Sequence, residues 1–290
     1  MKLKLSALFF FLTTTAVHAQ NAKVLIVGDS WAQQQYSDDI HDAVFDVNGY
    51  PDFEIYKIPQ GDPEVAVDGT TAADWVVPTE LAKITNALIN NPSIDTVQLT
   101  VGGNDFLNNW NKSMTMMEVD ALKAGIVDDI QTIVDAILEV DLNIEIIMSF
   151  YDYPNFEETL GGLVGLVCSP LHSGMGSPSP TEINNLALEF TNAFVGISDQ
   201  NPKVFHVPHW GRMQNAFGWP DDGIQPGDIQ LPGDVSLTSP VEAMRDHDFV
   251  IWTEKDCFHL KPAGYDVLVQ ALFEDYYHYR FDTIHKSLFE

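Results

Sequence analysis

Short apolar runs alternate with amphipathic stretches along the chain. Lys23–Val27 is a β-branched apolar run that stops at Gly28, the pattern of a strand buried on both faces. From Trp31 to about Val47, Tyr36, Ile40 and Val44 recur at helical spacing. Phe53–Ile58 alternates and predicts a second strand, and Thr79–Asn90 predicts a helix closed by Asn91-Pro92. Thr96–Val101 predicts a third strand, ending at Gly102-Gly103. Met116–Val140 predicts a long amphipathic helix with Leu122, Ile126, Ile130, Ile133 and Ile137 on one face. Ile144–Phe150 and Lys203–Val207 predict the fourth and fifth strands. Between them Pro180–Gly196 reads as a helix, with Ser179 or Thr181 at its cap. Pro262–Tyr277 reads as the final helix, with Pro262 in the favoured first turn.

This alternation predicts an α/β fold, a three-layer α/β/α sandwich around a central, mostly parallel five-stranded sheet. No internal repeat or composition shift divides the chain, so residues 20–290 are expected to form one domain. Two stretches break the rhythm: Phe156–Pro180, rich in Gly, Ser and Pro, and Trp210–Asp248, rich in Gly, Pro and Asp. Both follow strands, which puts them at the carboxyl edge of the sheet, where α/β proteins place their sites. Functional segments and surface decoration are both open readings of them.

The first residues stand outside the fold on this reading. Lys2 and Lys4 precede the apolar run Ala7–Leu12, and Val17-His18-Ala19 supplies small residues for a cleavage site. Residues 1–19 are therefore expected to be a secretory signal peptide cut after Ala19, too short in its apolar run to span a membrane. Export to the periplasm or medium follows, without stable membrane anchoring. In such an oxidising compartment the two cysteines, Cys168 and Cys257, are expected to form one disulfide, the alternative being two unpaired thiols.

Charge narrows the partners. The chain carries 42 Asp+Glu against 14 Lys+Arg, a formal net charge of −28. Cleavage removes Lys2 and Lys4 and takes it to −30. So acidic a surface repels phosphate backbones, so nucleic acid is excluded as a partner. Hydrophobic residues at 45% against 19% charged exclude a disordered chain.

Candidate chemistry gathers at predicted strand ends. The first strand runs into Gly28-Asp29-Ser30-Trp31, which puts Ser30 where a helix begins. A helix amino terminus favours developing negative charge, and the serine's own N–H can donate to an oxyanion. The same tripeptide is also an ordinary turn and cap. The third strand ends in Gly102-Gly103-Asn104-Asp105, where Asn104 offers a side-chain amide as an oxyanion donor or simply a loop that caps the next helix. Near the carboxyl end, Asp256-Cys257-Phe258-His259 puts Asp and His three apart in one loop before a helix. Asp256 can orient His259, and His259 can take a proton from a hydroxyl.

Taken together, Gly-Asp-Ser at the first strand, Gly-Gly-Asn-Asp at the third and Asp-x-x-His before the last helix resemble the SGNH hydrolase superfamily, the GDSL lipases and esterases, over about residues 22–278. The resemblance implies a flavodoxin-like sheet and a secreted serine hydrolase of carboxylic esters, with Ser30 as nucleophile, His259 as base and Asp256 as its orienting acid. It implies an oxyanion hole from Ser30, Asn104 and a loop glycine after the second strand. Gly69 in Asp68-Gly69-Thr70-Thr71 is the best match for that glycine and Gly61 a weaker one. It implies no cofactor and a small-molecule or lipid ester as substrate, with an acetylated polysaccharide as the alternative. Two features depart from the pattern: Cys257 inside the Asp-x-x-His segment, and the long Trp210–Asp248 stretch before it.

Other chemistries fit less well. Gly-x-Ser-x-Gly, the Walker A loop and His-Glu-x-x-His are all missing from the sequence. His206 and His209 are read as structural rather than metal ligands, and the acidic stretch Asp221–Asp234 lacks the ordered spacing of a calcium loop. No metal site is expected. A reading from another class is a secreted carbohydrate-binding module on the same scaffold, with Trp210, Phe217 and Trp219 as a stacking platform. The intact set Ser30, Gly69, Asn104, Asp256 and His259 favours the enzyme.

Overall fold

Val24–Val27 are all buried, in the middle of strand β1 (Ala22–Gly28). In a computed structural model, which describes residues 22–160, 168–248 and 253–287, β1 lies between β2 (Glu54–Ile55) and β3 (Thr96–Thr100). The sheet continues through β4 (Glu145–Met148) to β5 (Val204–His206). The order is β2-β1-β3-β4-β5 and every pairing is parallel. This is the flavodoxin-like order, whose crevice opens where the winding reverses, between the carboxyl ends of β1 and β3. The expected signal peptide at residues 1–19 lies outside the described residues.

Helices cover both faces of the sheet. One layer holds α1 (Ser30–Ser37), α2 (Ile40–Val47) and, from the far end of the chain, α10 (Pro262–Leu272). The other holds α3 (Ala72–Trp75), α4 (Pro78–Asn90), α5 (Gly103–Asn109), α6 (Met116–Val140) and α8 (Pro180–Gln200). In α6, Ile126, Ile130, Ile133 and Ile137 are buried, as the periodicity predicts, whereas Leu122 is only partly covered. Capping boxes start α6 and α8, Thr115 with Glu118 and Ser179 with Glu182, so Ser179 is the cap.

Several boundaries differ from the sequence reading. The single helix expected over 31–47 is two, because Asp39 adopts a left-handed conformation (φ 53°) between them. The second strand keeps only two residues, since beyond Tyr56 the chain turns away and the Ile58 N–H donates to the Tyr36 hydroxyl (2.9 Å). The helix expected to end the fold passes through a π-helical turn (Phe273–Tyr277) into α11 (His278–Ser287). That turn sets the Tyr277 hydroxyl 2.9 Å from Gln98, buried in mid-β3.

The two irregular stretches hold structure of their own. Each contains a short helix, α7 (Cys168–Gly174) and α9 (Arg212–Phe217). The second also supplies β6 (Met244–Asp248), which pairs antiparallel with β7 (Thr253–Leu260) as a separate hairpin. Side-chain amides pin the coil between α9 and β6. Gln214 Nε2 lies 3.0–3.1 Å from the carbonyls of Asp234, Leu237 and Thr238, and Asn184 Nδ2 reaches those of Val235 and Leu237. The Cys168–Cys257 disulfide, closing 89 residues, ties α7 to β7 as expected.

Candidate active site

Gly28 lets β1 end where it does. Its φ is +143°, and a Cβ there would stand 1.9 Å from the Thr100 carbonyl oxygen, so β1 and β3 approach this closely only with glycine. The next residue, Asp29, is the cap of α1 and accepts the Trp31 N–H (3.0 Å). Ser30 is thus the first helical residue, and its N–H has no intrahelical acceptor.

Asp256 and His259 reach Ser30 from the hairpin. Between the pairs Met244↔Leu260 and Asp246↔Lys255, two steps along β6 span five along β7, so β7 bulges there. In a regular strand residues three apart face opposite ways; the bulge breaks that alternation and aims both side chains together. The Asp256 Oδ1 holds the bulge closed by accepting the N–H groups of Phe258 (2.8 Å) and His259 (2.9 Å). The segment expected as a loop is therefore part of a strand, with its loop-like geometry confined to the bulge. On its other side the Cys257 carbonyl accepts the Asn155 N–H (2.9 Å) and its sulfur is bonded to Cys168.

The result is a continuous hydrogen-bonded chain. Asp256 Oδ2 is 2.7 Å from His259 Nδ1, and His259 Nε2 is 2.8 Å from Ser30 Oγ. Ser30 and Asp256 are buried, and His259 is half-buried. Burial alone would raise the Asp256 carboxyl, but the hydrogen bond and charge of His259 and two backbone N–H groups hold it well below the usual carboxylate range. Burial alone would lower His259. The hydrogen bond and charge of Asp256 outweigh that, helped by the charges of Asp29 and Asp68, and raise it. An ionised Asp256 has no hydrogen to give, so His259 donates from Nδ1 and leaves Nε2 free to accept the Ser30 proton.

Gly69 and Asn104 lie at the same edge. Gly69 (φ +76°) is in an exposed turn closed by the Thr70 N–H to the Val67 carbonyl (3.4 Å). That turn is tied to the end of β1, where the Gly28 carbonyl accepts the Val67 N–H (2.9 Å) and the Thr70 hydroxyl (3.3 Å). Asn104 Nδ2 donates to the Thr70 carbonyl (2.9 Å), which uses one of its two hydrogens. Gly61, the weaker candidate, is an exposed glycine with φ +98°.

Two residues beside the chain went unread in the sequence. Tyr151, just past β4, stacks on Trp31 (4.6 Å between ring centroids) and donates its hydroxyl to Asp29 Oδ2 (2.6 Å). Burial raises the Asp29 carboxyl to about 7, against the lowering effect of the Tyr151 hydroxyl, the Trp31 N–H and the nearby His259. Tyr151 also explains Gly103, where a Cβ would stand 2.1 Å from its ring. The second residue is His247 on β6, whose Nε2 lies 2.7 Å from Asp256 Oδ2. An aromatic run at a strand end was the only signal for Tyr151; nothing in local spacing marks His247.

Trp210 cannot serve the stacking platform considered above. It is buried, packed on Phe150 and Tyr153, with its indole N–H donated to Thr191 (2.7 Å). Phe217 and Trp219 are only partly exposed, and Phe217 packs against the core. Burial lowers His209 to about 3 and His206 to about 4, which keeps both neutral. Among the described residues, the only cluster of three metal-ligating side chains is Cys168, Asp256 and Cys257, whose sulfurs are already bonded to each other. A cleft of about 400 Å³ is lined by Pro154, Phe156, Leu160, His172 and Ile183 among others, but by none of Ser30, Asp256 and His259. Phe156 meets Phe258, the neighbour of His259, edge to face at 5.0 Å. Residues 161–167, within the irregular stretch Phe156–Pro180, lie outside the described residues.

No family model matches this chain, and no curated protein does. Solved structures do match it over most of its length. A GDSL-like lipase from Bacteroides thetaiotaomicron is 14% identical with a TM-score of 0.47, covering 88% of this chain and 87% of its own. A family 3 carbohydrate esterase from Clostridium thermocellum is 15% identical with a TM-score of 0.45, covering 87% and 94%. The periplasmic domain of a lipopolysaccharide acetyltransferase from Salmonella ser. Paratyphi A is 14% identical with a TM-score of 0.47, covering 88% and 83%.

Proposed function

We propose that the chain is an SGNH-type serine hydrolase that cleaves carboxylic esters through an acyl-enzyme intermediate. The observation that carries this reading is the unbroken chain Ser30 Oγ–His259 Nε2, His259 Nδ1–Asp256 Oδ2, at 2.8 and 2.7 Å, at the carboxyl edge of the sheet. Ser30 Oγ attacks the ester carbonyl carbon while His259 Nε2 takes its proton. The Ser30 N–H, the Gly69 N–H and the free hydrogen of Asn104 Nδ2 take up the negative charge on the carbonyl oxygen. The imidazolium then gives its proton to the departing alcohol. In the second half His259 activates water, which attacks the acyl carbon, and Ser30 Oγ leaves with the proton. Asp256 stays ionised throughout and stabilises the imidazolium. Export by a signal peptide fits the same reading, since the Cys168–Cys257 bond belongs to an oxidising compartment.

Substrate class is tested by hydrolysis of esters graded in acyl-chain length, with an acetylated polysaccharide in parallel and Ser30→Ala as control. Activity on simple esters that vanishes in Ser30→Ala supports the proposal. A long-chain preference makes it a lipase, and activity on acetyl groups alone makes it a polysaccharide esterase. Undiminished turnover by Ser30→Ala overturns it.

A further inference from the structure

We infer that His247 is a positioning residue for the Asp256–His259 pair, an inference that rests on the hydrolase reading above. His247 Nε2 and His259 Nδ1 each lie 2.7 Å from the same oxygen, Asp256 Oδ2. The other oxygen is taken by the N–H groups of Phe258 and His259. Asp256 offers no hydrogen while ionised, so both imidazoles must donate to it. Its two oxygens then carry four donors, which is their full capacity.

Each donor has a separate consequence. The two backbone N–H groups fix Oδ1 to the β7 bulge but come from β7 alone. His247 reaches Oδ2 from β6, so the carboxylate is held from both strands of the hairpin and Oδ2 stays where His259 needs it. The register places His247 opposite Glu254, two residues before Asp256, so all three share one face of the hairpin. Sharing Oδ2 also draws charge away from His259. His247 therefore both orients the base and moderates its basicity.

The other titratable groups around the pair are on several elements. Glu254 on β7 is buried with no hydrogen-bond partner among the described residues. Tyr265 on α10 feels the charges of Asp256, Asp29 and Arg245. Asp29 before α1 and Asp68 beyond it act on His259. None of them donates to Asp256, which leaves His247 as the one side chain besides His259 paired with it among the described residues.

The test compares His247→Ala and His247→Gln with the parent enzyme in kcat and KM on a soluble short-chain ester, from about pH 5 to 9. Ser30→Ala and thermal melting run alongside. Loss of His247 is expected to lower kcat on the order of tenfold with KM unchanged. It is also expected to move the acid limb of kcat/KM to higher pH, because Asp256 then gives its whole charge to His259. Glutamine keeps an N–H donor at the same reach, so His247→Gln is expected to recover most of kcat and return the limb. Should His247→Ala not fold, His247→Leu fills the space without a donor and serves in its place. An unchanged kcat and acid limb overturns the inference, as does a loss shared equally by the Gln variant with no movement of the pH profile. An inactive Ser30→Ala beside an unaffected His247→Ala sinks this inference alone; an active Ser30→Ala sinks the hydrolase reading with it.

Discussion

Tyr151 holds Asp29 from below the candidate nucleophile: its hydroxyl donates to the buried carboxyl at 2.6 Å, from a ring stacked on Trp31. Asp29 in turn caps the helix that begins at Ser30. A contact between the ends of β1 and β4 thus fixes where the hydroxyl of Ser30 stands.

Removing that donor should cost stability in a pH-dependent way. Asp29 is raised to about 7 in the fold, so the fold gains stability on acidification through that pH, down to the ordinary carboxyl value of 3.8. The ionised form needs Tyr151 most. Tyr151→Phe is expected to destabilise by about 1–3 kcal/mol, with a larger loss near pH 8 than near pH 5, in urea unfolding at the two pH values. Equal losses at both would show that Asp29 does not change its protonation state between them.

Two glycine-to-alanine changes should have opposite signs. Gly103→Ala pushes a methyl into the Tyr151 ring at 2.1 Å, and is expected to cost about 1–3 kcal/mol and to impair turnover. Gly125 lies within α6, where an added methyl would meet nothing within 4 Å, and Gly125→Ala is expected to stabilise by about 0.5–1 kcal/mol. Melting temperatures of the pair check both.

The pH profile should carry the acidity of the chain. His259 must be neutral to act as base, and Asp256, Asp29 and Asp68 raise it, so the acid limb of kcat/KM should lie above 6.5, the unperturbed histidine value. Asp68 is exposed, so Asp68→Asn and added salt should each move the limb down. The stability signs are distinct. What the raised His259 contributes is present below its unfolded value and is lost as pH rises through its folded one. What the lowered Asp256 contributes is present above its unfolded value and is lost as pH falls through its folded one. A limb that neither salt nor Asp68→Asn moves would show that the site does not feel the surface charge.

The disulfide should matter twice. Closing 89 residues is worth about 4–5 kcal/mol in the chain-entropy model, and the bond also braces the strand that carries Asp256 and His259. Replacing both cysteines by serine is expected to lower the denaturation midpoint accordingly and to reduce kcat. Full activity in a destabilised double variant would confine the bond to a stability role.

The central sheet was legible because β1 and β4 carry apolar runs buried on both faces, and β3 keeps Val97 and Leu99 between the buried polar residues Thr96, Gln98 and Thr100; in β5 only Val204 is buried and Phe205 is exposed. The residues that close on one another came from strand ends read in order. The hairpin was not legible. Met244–Asp248 is nearly all polar, and the bulge in β7 erases the alternation that marks a strand. Phe249–Trp252 also offers none of the usual turn residues. His247 was hidden for the same reason, since only that pairing brings it to Asp256. The break at Asp39 was hidden because a left-handed aspartate leaves the helical spacing of Tyr36, Ile40 and Val44 intact.

The most direct measurement is intact-mass and peptide mapping after treatment with a fluorophosphonate, which reacts only with an activated serine. A single adduct is expected on the peptide containing Ser30, absent from Ser30→Ala and strongly slowed in His259→Ala. Labelling that persists in Ser30→Ala, or a parent protein that takes up no label, would contradict it.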